Sequence, residues 1–452
     1  MSADVARVTR TVLQDGLPVA LHLRTYTLEV TDGPDAGLRG RFDRRVATIG
    51  TSPDNDLVLD DPTVSRVHCR IEADDVGYRV TDLGSKNGTW CGPSRVREAY
   101  LDTSVPLRVG ETTLAWAHGD EEVEVRFSTA SRFGELVGES LGMREIFATL
   151  ERVATTDATV LIEGESGTGK ELVARALHDR SPRAKRPFLV FDCSAVPKDL
   201  IESELFGHVK GAFTGATAER QGAFVAARGG TLFLDELGEL APELQPRLLR
   251  AIESRRVKPV GTTREVETDV RLVAATNRKL AREVEAGNFR EDLYYRIAVI
   301  MVRIPPLRER PEDVPLLMRH FLRAHGEEPD RLKVSFDTMT RLQRHRWPGN
   351  VRELKNFVER AVLLSGGDQL SGEFLDVPSP GGAAPATLTD QGLQVDLTLP
   401  FKDSKARLVE TFETAYWQRL LEATGGNVSE AARRAGIHRK SAEYLVKKLD
   451  LK

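Results

Sequence analysis

The spacing of apolar residues divides the chain into three regions. Between Leu21 and Trp116, short runs alternate apolar and polar side chains and are separated by turns, which is typical of β-strands. From Phe133 onward, apolar runs alternate with helical stretches, which predicts a parallel sheet with helices on both faces. From Phe401 to Lys452, apolar residues recur near helical spacing. The pattern therefore predicts a β-sandwich, an α/β domain and an all-α domain.

Individual elements can be located within these regions. The predicted strands of the sandwich are residues 21–30, 45–50, 56–59, 68–72, 78–83 and 113–116. In the α/β region we predict strands at 188–191, 231–234 and 270–275 and a helix at 143–150. Two stretches, the charged residues 119–132 and the Pro- and Gly-rich residues 371–400, are predicted to be linkers.

A glycine-rich turn follows the apolar run 160–162 and precedes a helical stretch. Gly164, Gly169 and Lys170 have the G-x-x-x-x-G-K spacing of a P-loop. Glycines allow backbone N–H groups to surround a phosphate, and the helix N-terminus and the lysine add positive charge. Glu171 departs from the pattern, because serine or threonine usually stands there and helps to hold magnesium. The candidate ATP-binding residues are Gly164, Glu165, Ser166, Gly167, Thr168, Gly169, Lys170 and Glu171.

Two adjacent acids follow the predicted strand 231–234. Asp235 is a candidate ligand of Mg²⁺, and Glu236 is a candidate to polarise the attacking water. Two acids at a strand end are more often a solvated turn when they occur alone. Because they follow a P-loop, we predict a catalytic pair and hydrolysis of ATP.

Composition limits the class of protein. A length of 452 residues predicts about three domains at about 150 residues each. With 64 Lys+Arg against 68 Asp+Glu, the chain as a whole is not a basic nucleic-acid binder, so any such contact must be local. Cys69, Cys91 and Cys193 are too widely spaced for a zinc site or a disulfide framework. No signal peptide or membrane-length apolar run is seen, so we expect a cytoplasmic protein without membrane contact.

The stretch 211–216 is unusual for a core. It reads Gly211, Ala212, Phe213, Thr214, Gly215 and Ala216. Two glycines around one aromatic residue predict a flexible loop with Phe213 as a contact surface. The alternative is a buried turn with Phe213 in the core.

The C-terminal region has the pattern of a helix-turn-helix. Asn427 is a good N-cap for a short helix at 428–435, and Gly436 begins a turn before a second helix at 438–449. From Asn427 onward the chain has seven basic residues and three acidic ones, which makes a local basic patch. Candidates for the major groove are Arg439, Lys440, Ser441 and Tyr444, and candidates for phosphate contacts are Lys447 and Lys448. A charged, solvated helix is the alternative.

Three segments of the first region together resemble the forkhead-associated (FHA) domain over residues 20–118. They are Ile49-Gly50, residues 65–68 (Ser-Arg-Val-His) and residues 84–89 (Gly-Ser-Lys-Asn-Gly-Thr). The resemblance implies binding of phosphothreonine peptides by loops at one end of the sandwich. Ser65 and Arg66 would contact the phosphate, with Lys86 nearby and Asn87 holding the peptide backbone. Thr51 stands where the family usually carries an arginine, so an FHA fold used only for docking is the alternative.

The second region resembles the AAA+ activators of sigma-54 RNA polymerase, which are bacterial enhancer-binding proteins. The match spans about residues 134–365 and includes the GAFTGA motif at 211–216. The other matching segments are residues 164–171, 204–208, 235–236, 305–310 and 347–354. The resemblance implies that the GAFTGA loop contacts sigma-54 and couples ATP hydrolysis to promoter opening.

Further roles follow from the same resemblance. Thr276 and Asn277 match the sensor of the γ-phosphate, and Arg352 matches a second sensor on a helical lid, about residues 307–370. Arg290 and Arg296 match the arginine fingers that reach the nucleotide of a neighbouring subunit. Arginines supplied between subunits imply a ring, which we expect to be a hexamer assembled from dimers.

Asp192 departs from the family pattern, which often has asparagine there. In the family this asparagine hydrogen-bonds the catalytic glutamate and switches it with ligand state. An ionised aspartate accepts but cannot donate a hydrogen bond, and it would repel Glu236. Asp192 is retained as a candidate catalytic residue.

The sequence thus predicts a three-domain transcription activator. Residues 20–118 form an FHA domain, residues 133–370 an AAA+ ATPase and residues 401–452 a Fis-type helix-turn-helix. The expected cofactors are ATP and Mg²⁺, and the expected partners are sigma-54 RNA polymerase, enhancer DNA and a phosphothreonine-containing protein or kinase. The alternative is a DNA-bound phosphopeptide adaptor whose ATPase acts only as an assembly switch.

Overall fold

A computed structural model describes most of the first 370 residues and part of the C-terminal region. The described residues are 9–53, 55–214, 216–324, 333–364, 369–370, 417, 421, 424, 427–435 and 446. The chain divides into two compact units, Met1–Asp376 and Val377–Lys452. Each unit is considered by itself below.

The first unit begins with a two-sheet β-sandwich. One sheet has the strand order β1-β2-β12-β11-β8-β9, with β3 also paired to β2, and the other has the order β10-β7-β6-β4-β5. The strands are β1 (Thr9–Gln14), β2 (Leu17–Asp32), β3 (Arg39–Phe42), β4 (Val46–Gly50), β5 (Leu57–Val58), β6 (Cys69–Ala73), β7 (Tyr78–Asp82), β8 (Thr89–Cys91), β9 (Ser94–Val96), β10 (Glu98–Tyr100), β11 (Leu107–Val109) and β12 (Thr112–Arg126). Tyr26, Tyr78 and Trp116 pack together in the core, with ring centroids 4.8–5.0 Å apart.

The predicted linker at 119–132 is wrong over most of its length. Strand β12 continues to Arg126 and pairs with β2 along most of its length, with an irregularity between His118 and Glu122. Val125 and Phe127 are buried, whereas Glu122 and Glu124 alternate with them and face outward. The run of charges concealed this period of two, and the sandwich also begins earlier than residue 20, at Thr9.

A five-stranded parallel sheet forms the centre of the α/β domain. Its order is β16-β19-β22-β15-β23, so the strand that leads into the P-loop lies between two others. These strands are β15 (Val160–Glu163), β16 (Phe188–Asp192), β19 (Thr231–Asp235), β22 (Arg271–Thr276) and β23 (Ile300–Arg303). Nearly continuous apolar runs in β15, β19 and β22 are buried on both faces, as a parallel sheet covered by helices requires.

Helices and short strands surround this sheet. The helices are α1 (Leu141–Ala154), α2 (Lys170–Asp179), α3 (Lys198–Phe206), α4 (Ala223–Ala226), α5 (Gln245–Ser254), α6 (Leu280–Glu285) and α7 (Glu291–Ile297), with 3₁₀ turns at Leu237–Glu239 and Leu307–Glu309. The short strands are β13 (Arg132–Phe133), β14 (Leu136–Val137), β17 (Gly207–His208), β18 (Arg220–Gln221), β20 (Arg256–Val257) and β21 (Val266–Glu267). Ser140 caps α1 by accepting a hydrogen bond from the Met143 amide.

A helical lid follows the sheet. It contains α8 (Asp313–Ala324), α9 (Phe336–Arg344) and α10 (Asn350–Leu364), with β24 (Lys333–Val334) paired to β25 (Gln369–Leu370). Trp347 and Phe357 are almost fully buried in its core, and the Trp347 indole donates to the Leu342 carbonyl at 2.9 Å. This core holds the lid as a unit with its own packing.

In the second unit the structure describes helix α11 (Val428–Arg434). The Asn427 side chain accepts a hydrogen bond from the Glu430 amide, as the N-cap prediction requires. Trp417 packs against Ala431 and Ala432. The candidate DNA contacts Arg439, Lys440, Ser441, Tyr444, Lys447 and Lys448 lie outside the described residues. Across the part of the chain that is described, no helix has the length and apolar character needed to cross a bilayer.

Candidate nucleotide site and coupling surfaces

The predicted P-loop joins β15 to α2 at the carboxyl end of the central sheet. Gly167 and Gly169 have φ of +79° and +105°, a region that side chains rarely adopt. A Cβ on Gly167 would lie 2.4 Å from the Gly349 carbonyl oxygen of the lid. The backbone turn therefore favours glycine at both positions, and the close approach of the lid favours it again at Gly167. Glu171 is exposed in the first turn of α2.

The P-loop lysine meets the catalytic candidate Glu236. The Lys170 side chain is buried, and its Nζ lies 2.9 Å from the Gly164 carbonyl oxygen and 3.3 Å from Glu236 Oε1. The other carboxylate oxygen of Glu236 accepts a hydrogen bond from the backbone N–H of Asn277 at 3.1 Å. Glu236 has φ of +48°, so its backbone is strained where it turns the side chain toward the lysine. The structure thus brings together Lys170, Glu236 and the sensor candidate Asn277.

Asp235 ends β19 next to this group. Burial raises the pKa of Asp235, and the charges of Glu236 and Asp192 raise it further, although the Glu236 amide and Lys170 act in the opposite direction. Asp192 is the register partner of Asp235 in the neighbouring strand. Asp192 Oδ1 accepts hydrogen bonds from the Ser194 amide and hydroxyl at 2.8 and 2.7 Å. This oxygen therefore stabilises the turn that directly follows Asp192.

The lid contacts the P-loop through residues that were not among the candidate site residues predicted from the sequence. We call this set of contacts the clamp. Asn350 is fully buried, with φ of +53°. Its oxygen accepts the Leu307 amide at 2.8 Å, and its nitrogen donates to Glu165 Oε2 and the Ser166 carbonyl at 3.1 and 3.0 Å. The motif 347–354 pointed to this segment, but only the folded chain shows that its asparagine reaches residue 165.

Arginines reinforce this clamp. Arg308 forms a two-pronged pair with Glu165, at 2.8 and 2.7 Å. Burial alone would raise the pKa of Glu165, but hydrogen bonds from Arg308 and Asn350 outweigh it and lower that pKa. The predicted second sensor, Arg352, donates to the Ser166 hydroxyl at 3.2 Å, and its amide donates to the Gly167 carbonyl.

A fully buried acid, Asp313, lies in the first turn of α8. Asp313 accepts from the Glu139 and Ser140 amides and from the Ser140 hydroxyl at 2.7–2.8 Å. The guanidinium of Arg310 lies 3.8 Å from Asp313. These contacts join the first turn of the lid to the segment that precedes α1.

The two candidate arginine fingers are not brought to the P-loop of their own chain. Arg290 pairs with Asp292 at 2.7 and 3.0 Å beside α7. Arg296 is exposed near the other end of α7, and within the described residues it forms no hydrogen bond or ion pair. Both positions are accessible from outside the domain.

The 211–216 loop projects between β17 and β18. The Gly211 amide donates to the Ala216 carbonyl at 2.8 Å, which closes the loop, and Gly215 lies outside the described residues. Phe213 is 38% exposed and touches the ring of His208, with centroids 5.0 Å apart. The alternative in which Phe213 lies in the core is therefore wrong.

A second loop braces this one. Val209 and Val260 are joined by a backbone hydrogen bond of 3.1 Å, and a Cβ on Gly261 would lie 2.7 Å from the Ala212 side chain. The two loops therefore project side by side from the sheet.

The phosphopeptide candidates lie on one end of the sandwich. The Ser65 hydroxyl accepts the Lys86 amide at 3.0 Å, and the Asn87 side chain donates to the Thr63 carbonyl at 2.7 Å. Arg66, Lys86 and Asn87 are exposed. Buried His68 links the two loops, because its ring meets the Ser65 amide and the Gly88 carbonyl. Burial lowers the pKa of His68, which favours the neutral ring.

The same end of the sandwich contacts the ATPase domain. Arg303, at the end of β23, lies 3.2 Å from Asp56 of the sandwich and 3.1 Å from Glu163, the residue before the P-loop. Arg282 of α6 donates to the Asn55 carbonyl at 3.3 Å. One cation therefore joins the sandwich to the strand that carries the P-loop.

A P-loop on a central parallel strand, an acid pair on the next strand but one, and a helical lid define an AAA+ ATPase domain. Family models agree with this division. Residues 136–303 match the sigma-54 interaction domain, 308–379 the AAA+ ATPase lid domain and 408–448 the Fis family of bacterial regulatory proteins. Residues 29–120 match the cytoplasmic domain of an inner-membrane component of a type III secretion system.

Relatives extend the comparison over most of the chain. ZraR of Klebsiella oxytoca is 49% identical over 322 residues, which covers 71% of this chain and 70% of that protein. NtrC of Azospirillum brasilense is 45% identical, covering 70% and 69%. The structure of Brucella abortus NtrX in complex with ATP superposes with a TM-score of 0.51 at 35% identity, covering 71% and 70%. The chain belongs to the family of sigma-54-dependent transcriptional regulators.

Proposed function

We propose that this chain is an ATP-driven activator that uses hydrolysis at its P-loop to press the 211–216 loop against sigma-54 RNA polymerase and open promoters. The observation that carries the proposal is the exposed Phe213 in a loop that a second loop braces. This loop follows α3, and α3 follows β16, whose last residue Asp192 is in register with Asp235. Changes at the acid pair therefore have a short path to the loop.

The chemistry of the site can be assigned to named side chains. Lys170 pairs with Glu236 in this structure. Nucleotide phosphates entering the P-loop would compete for the Lys170 charge and release Glu236 to orient the attacking water. The backbone N–H of Asn277 donates to the other oxygen of Glu236, so its side chain would be free to sense the γ-phosphate beside the acid. Binding of ATP is consistent with the ATP complex of the NtrX relative.

The site is also compatible with Mg²⁺. Among the residues that the structure describes, one oxygen of Asp235 accepts the Glu236 backbone amide at 3.0 Å and the other accepts no hydrogen bond, which leaves it for a cation, and carboxylates are ligands that Mg²⁺ prefers. A bound Mg²⁺ would neutralise phosphate charge during hydrolysis.

Assembly and DNA binding complete the proposal. Arg290 and Arg296 are exposed and, within the described residues, neither contacts the P-loop of its own chain, so they are suited to the nucleotide of a neighbouring subunit in a ring, which we expect to be a hexamer built from dimers. Residues 401–452 would bind enhancer DNA as a Fis-type helix-turn-helix, and the family model at 408–448 supports this role.

The sandwich would supply the regulatory input. We propose that it binds a phosphothreonine peptide, from a partner or a kinase, through Ser65, Arg66, Lys86 and Asn87, which share one surface. The Asp56–Arg303–Glu163 contact would carry the effect to the P-loop.

The test is to titrate the protein with a phosphothreonine peptide and, separately, with the same peptide in its unphosphorylated form. Binding should be lost in Arg66→Ala and kept in Arg10→Ala, since Arg10 is exposed on β1. The ATPase rate should change on binding, and an unchanged rate at saturation would contradict the regulatory role.

The decisive experiment measures open-complex formation at a sigma-54 promoter with ATP. Phe213→Ala should lose activation by about thirtyfold, which is about 2 kcal/mol for an interface hot spot, while ATP hydrolysis continues. Phe336→Ala is the matched control, because Phe336 is 90% exposed on the lid. An adaptor that does not remodel polymerase would be indifferent to both changes, and failure of the unaltered protein to open any sigma-54 promoter would refute the proposal.

A further inference from the structure

A basic cavity lies between the sandwich and the lid. Its volume is about 500 Å³, and it is lined by Arg97, Arg308, Gln343, Arg344, His345 and Arg346. Arg97 belongs to the turn between β9 and β10, whereas Arg344 ends α9 and Arg346 precedes the buried Trp347. The cavity therefore collects cations from two domains. It does not include Lys170 or the Asp235–Glu236 pair, so it is separate from the P-loop site.

The charge in this cavity is poorly compensated. Arg308 is paired with Glu165. Within the described residues, Arg97, Arg344 and Arg346 form no hydrogen bond or ion pair through their side chains, and no carboxylate lines the cavity. The three side chains are exposed, so water screens the repulsion among them, and an anion that enters the cavity would meet several uncompensated positive charges at once. The cavity is therefore suited to an anionic ligand.

The geometry restricts the ligand. We infer that the cavity binds a small anion with two or more phosphate groups, of about nucleotide size. Guanidinium groups match phosphate oxygens in pairs, and a phosphate ester carries about −1.5 to −2, so two phosphates balance the three uncompensated arginines. The volume lies in the range of about 300–1,000 Å³ that is usual for small-molecule sites.

Such a ligand would touch three parts of the molecule at once. Arg97 is in the sandwich, Arg344 and Arg346 are in the lid, and Arg308 holds Glu165 of the P-loop. A bound polyphosphate would fasten the sandwich to the lid and share Arg308 with Glu165. The cavity is thus a second anion site with a direct contact to the nucleotide loop.

The test uses isothermal titration of the full chain carrying Lys170→Ala, which weakens phosphate binding at the P-loop. The probes are pyrophosphate and adenosine 3′,5′-bisphosphate, with sulfate for comparison. Both probes should bind, and Arg97→Ala, Arg344→Ala and Arg346→Ala should each weaken binding by about tenfold, or about 1.4 kcal/mol. Because the three side chains are exposed and form no hydrogen bond or ion pair within the described residues, the variants should remain folded.

Two matched variants complete the design. Arg341→Ala lies on α9 with Arg344, and Arg95→Ala lies on β9 beside Arg97, but neither residue lines the cavity. Both should bind the probes as tightly as the parent. Absence of binding, equal affinity for sulfate, which would indicate an adventitious ion only, or equal losses in the control variants would overturn the inference. Loss with the lid variants but not with Arg97→Ala would also overturn it, because the site would not bridge the two domains.

Discussion

The P-loop and the strand that carries it contact the lid and the sandwich through two polar junctions, one buried and one partly exposed. At the lid, Asn350 and Asp313 are fully buried and Arg310 nearly so. Where the sandwich meets the P-loop strand, the Arg303 side chain is 42% exposed and its partner Asp56 is 14% exposed. Elsewhere the sandwich is joined to α1 by buried groups, because Arg45 pairs with Glu145 and Arg144 donates to the Pro18 carbonyl. Buried polar groups are costly to separate, whereas exposed ion pairs contribute little and weaken with salt. The comparison indicates a lid set firmly on the P-loop and a sandwich whose contact with the P-loop strand can be broken while its contacts with α1 remain.

The largest effect is expected at the buried junction. Asn350→Ala removes the Asn350 hydrogen bonds to the Leu307 amide and the Ser166 carbonyl and leaves Glu165 paired with Arg308, which should cost about 1–3 kcal/mol. Hydrogen exchange of the P-loop amides should report it as reduced protection. Asn288→Ala, which removes a contact to Glu283 near the surface, should have little effect.

Asn350→Gly separates two causes of that effect. Glycine tolerates the φ of +53° but has no side chain. Most of the lost protection should therefore persist in the glycine variant. Recovery to the protection of the unaltered protein would mean that backbone conformation, and not the amide clamp, holds the lid.

A smaller effect is expected from pH at the same junction. The pKa of Glu165 is lowered in the folded protein, so its contribution is present above the ordinary glutamate range and is lost as pH falls through the lowered value. The stability advantage of the unaltered protein over Glu165→Gln should therefore be greatest near neutral pH and should shrink on acidification. Thermal unfolding of both proteins across a pH series measures this difference. A constant difference would show that the Arg308–Glu165 pair contributes no charge-dependent stability.

The smallest effect is expected at the sandwich. A double-mutant cycle of Asp56→Asn and Arg303→Gln should give a coupling of about 0.2–1 kcal/mol at low salt, decreasing as salt is added. The single variants also disturb Thr48 and Glu163, which is why the cycle is needed. A coupling free energy that exceeds this range and does not change with salt concentration would contradict the description of this junction as releasable.

These junctions also show the limits of a sequence-based analysis. The strands 45–50, 68–72 and 231–234 were predictable because each is a short apolar or alternating run bounded by turn residues. The strand 112–126 was missed beyond Trp116, because charges on its outer face obscured the alternation of Val123 and Val125. Asn350 and Arg308 stood within recognisable motifs, yet nothing local indicated that both would reach Glu165.

The sequence by itself determined the three-region architecture, the phosphate loop and the acid pair, because each depends on neighbouring residues within one strand or turn. It also placed an aromatic residue in a glycine-flanked loop, which predicts exposure from local flexibility alone. Only the tertiary structure decided which distant groups meet: Lys170 with Glu236, the lid asparagine with the P-loop, and Arg303 with both the sandwich and β15. The basic cavity is of the same kind, since Arg97 and Arg346 are brought together by packing of separate domains. Long-range electrostatic contacts depend on that packing, and no spacing along the chain encodes them.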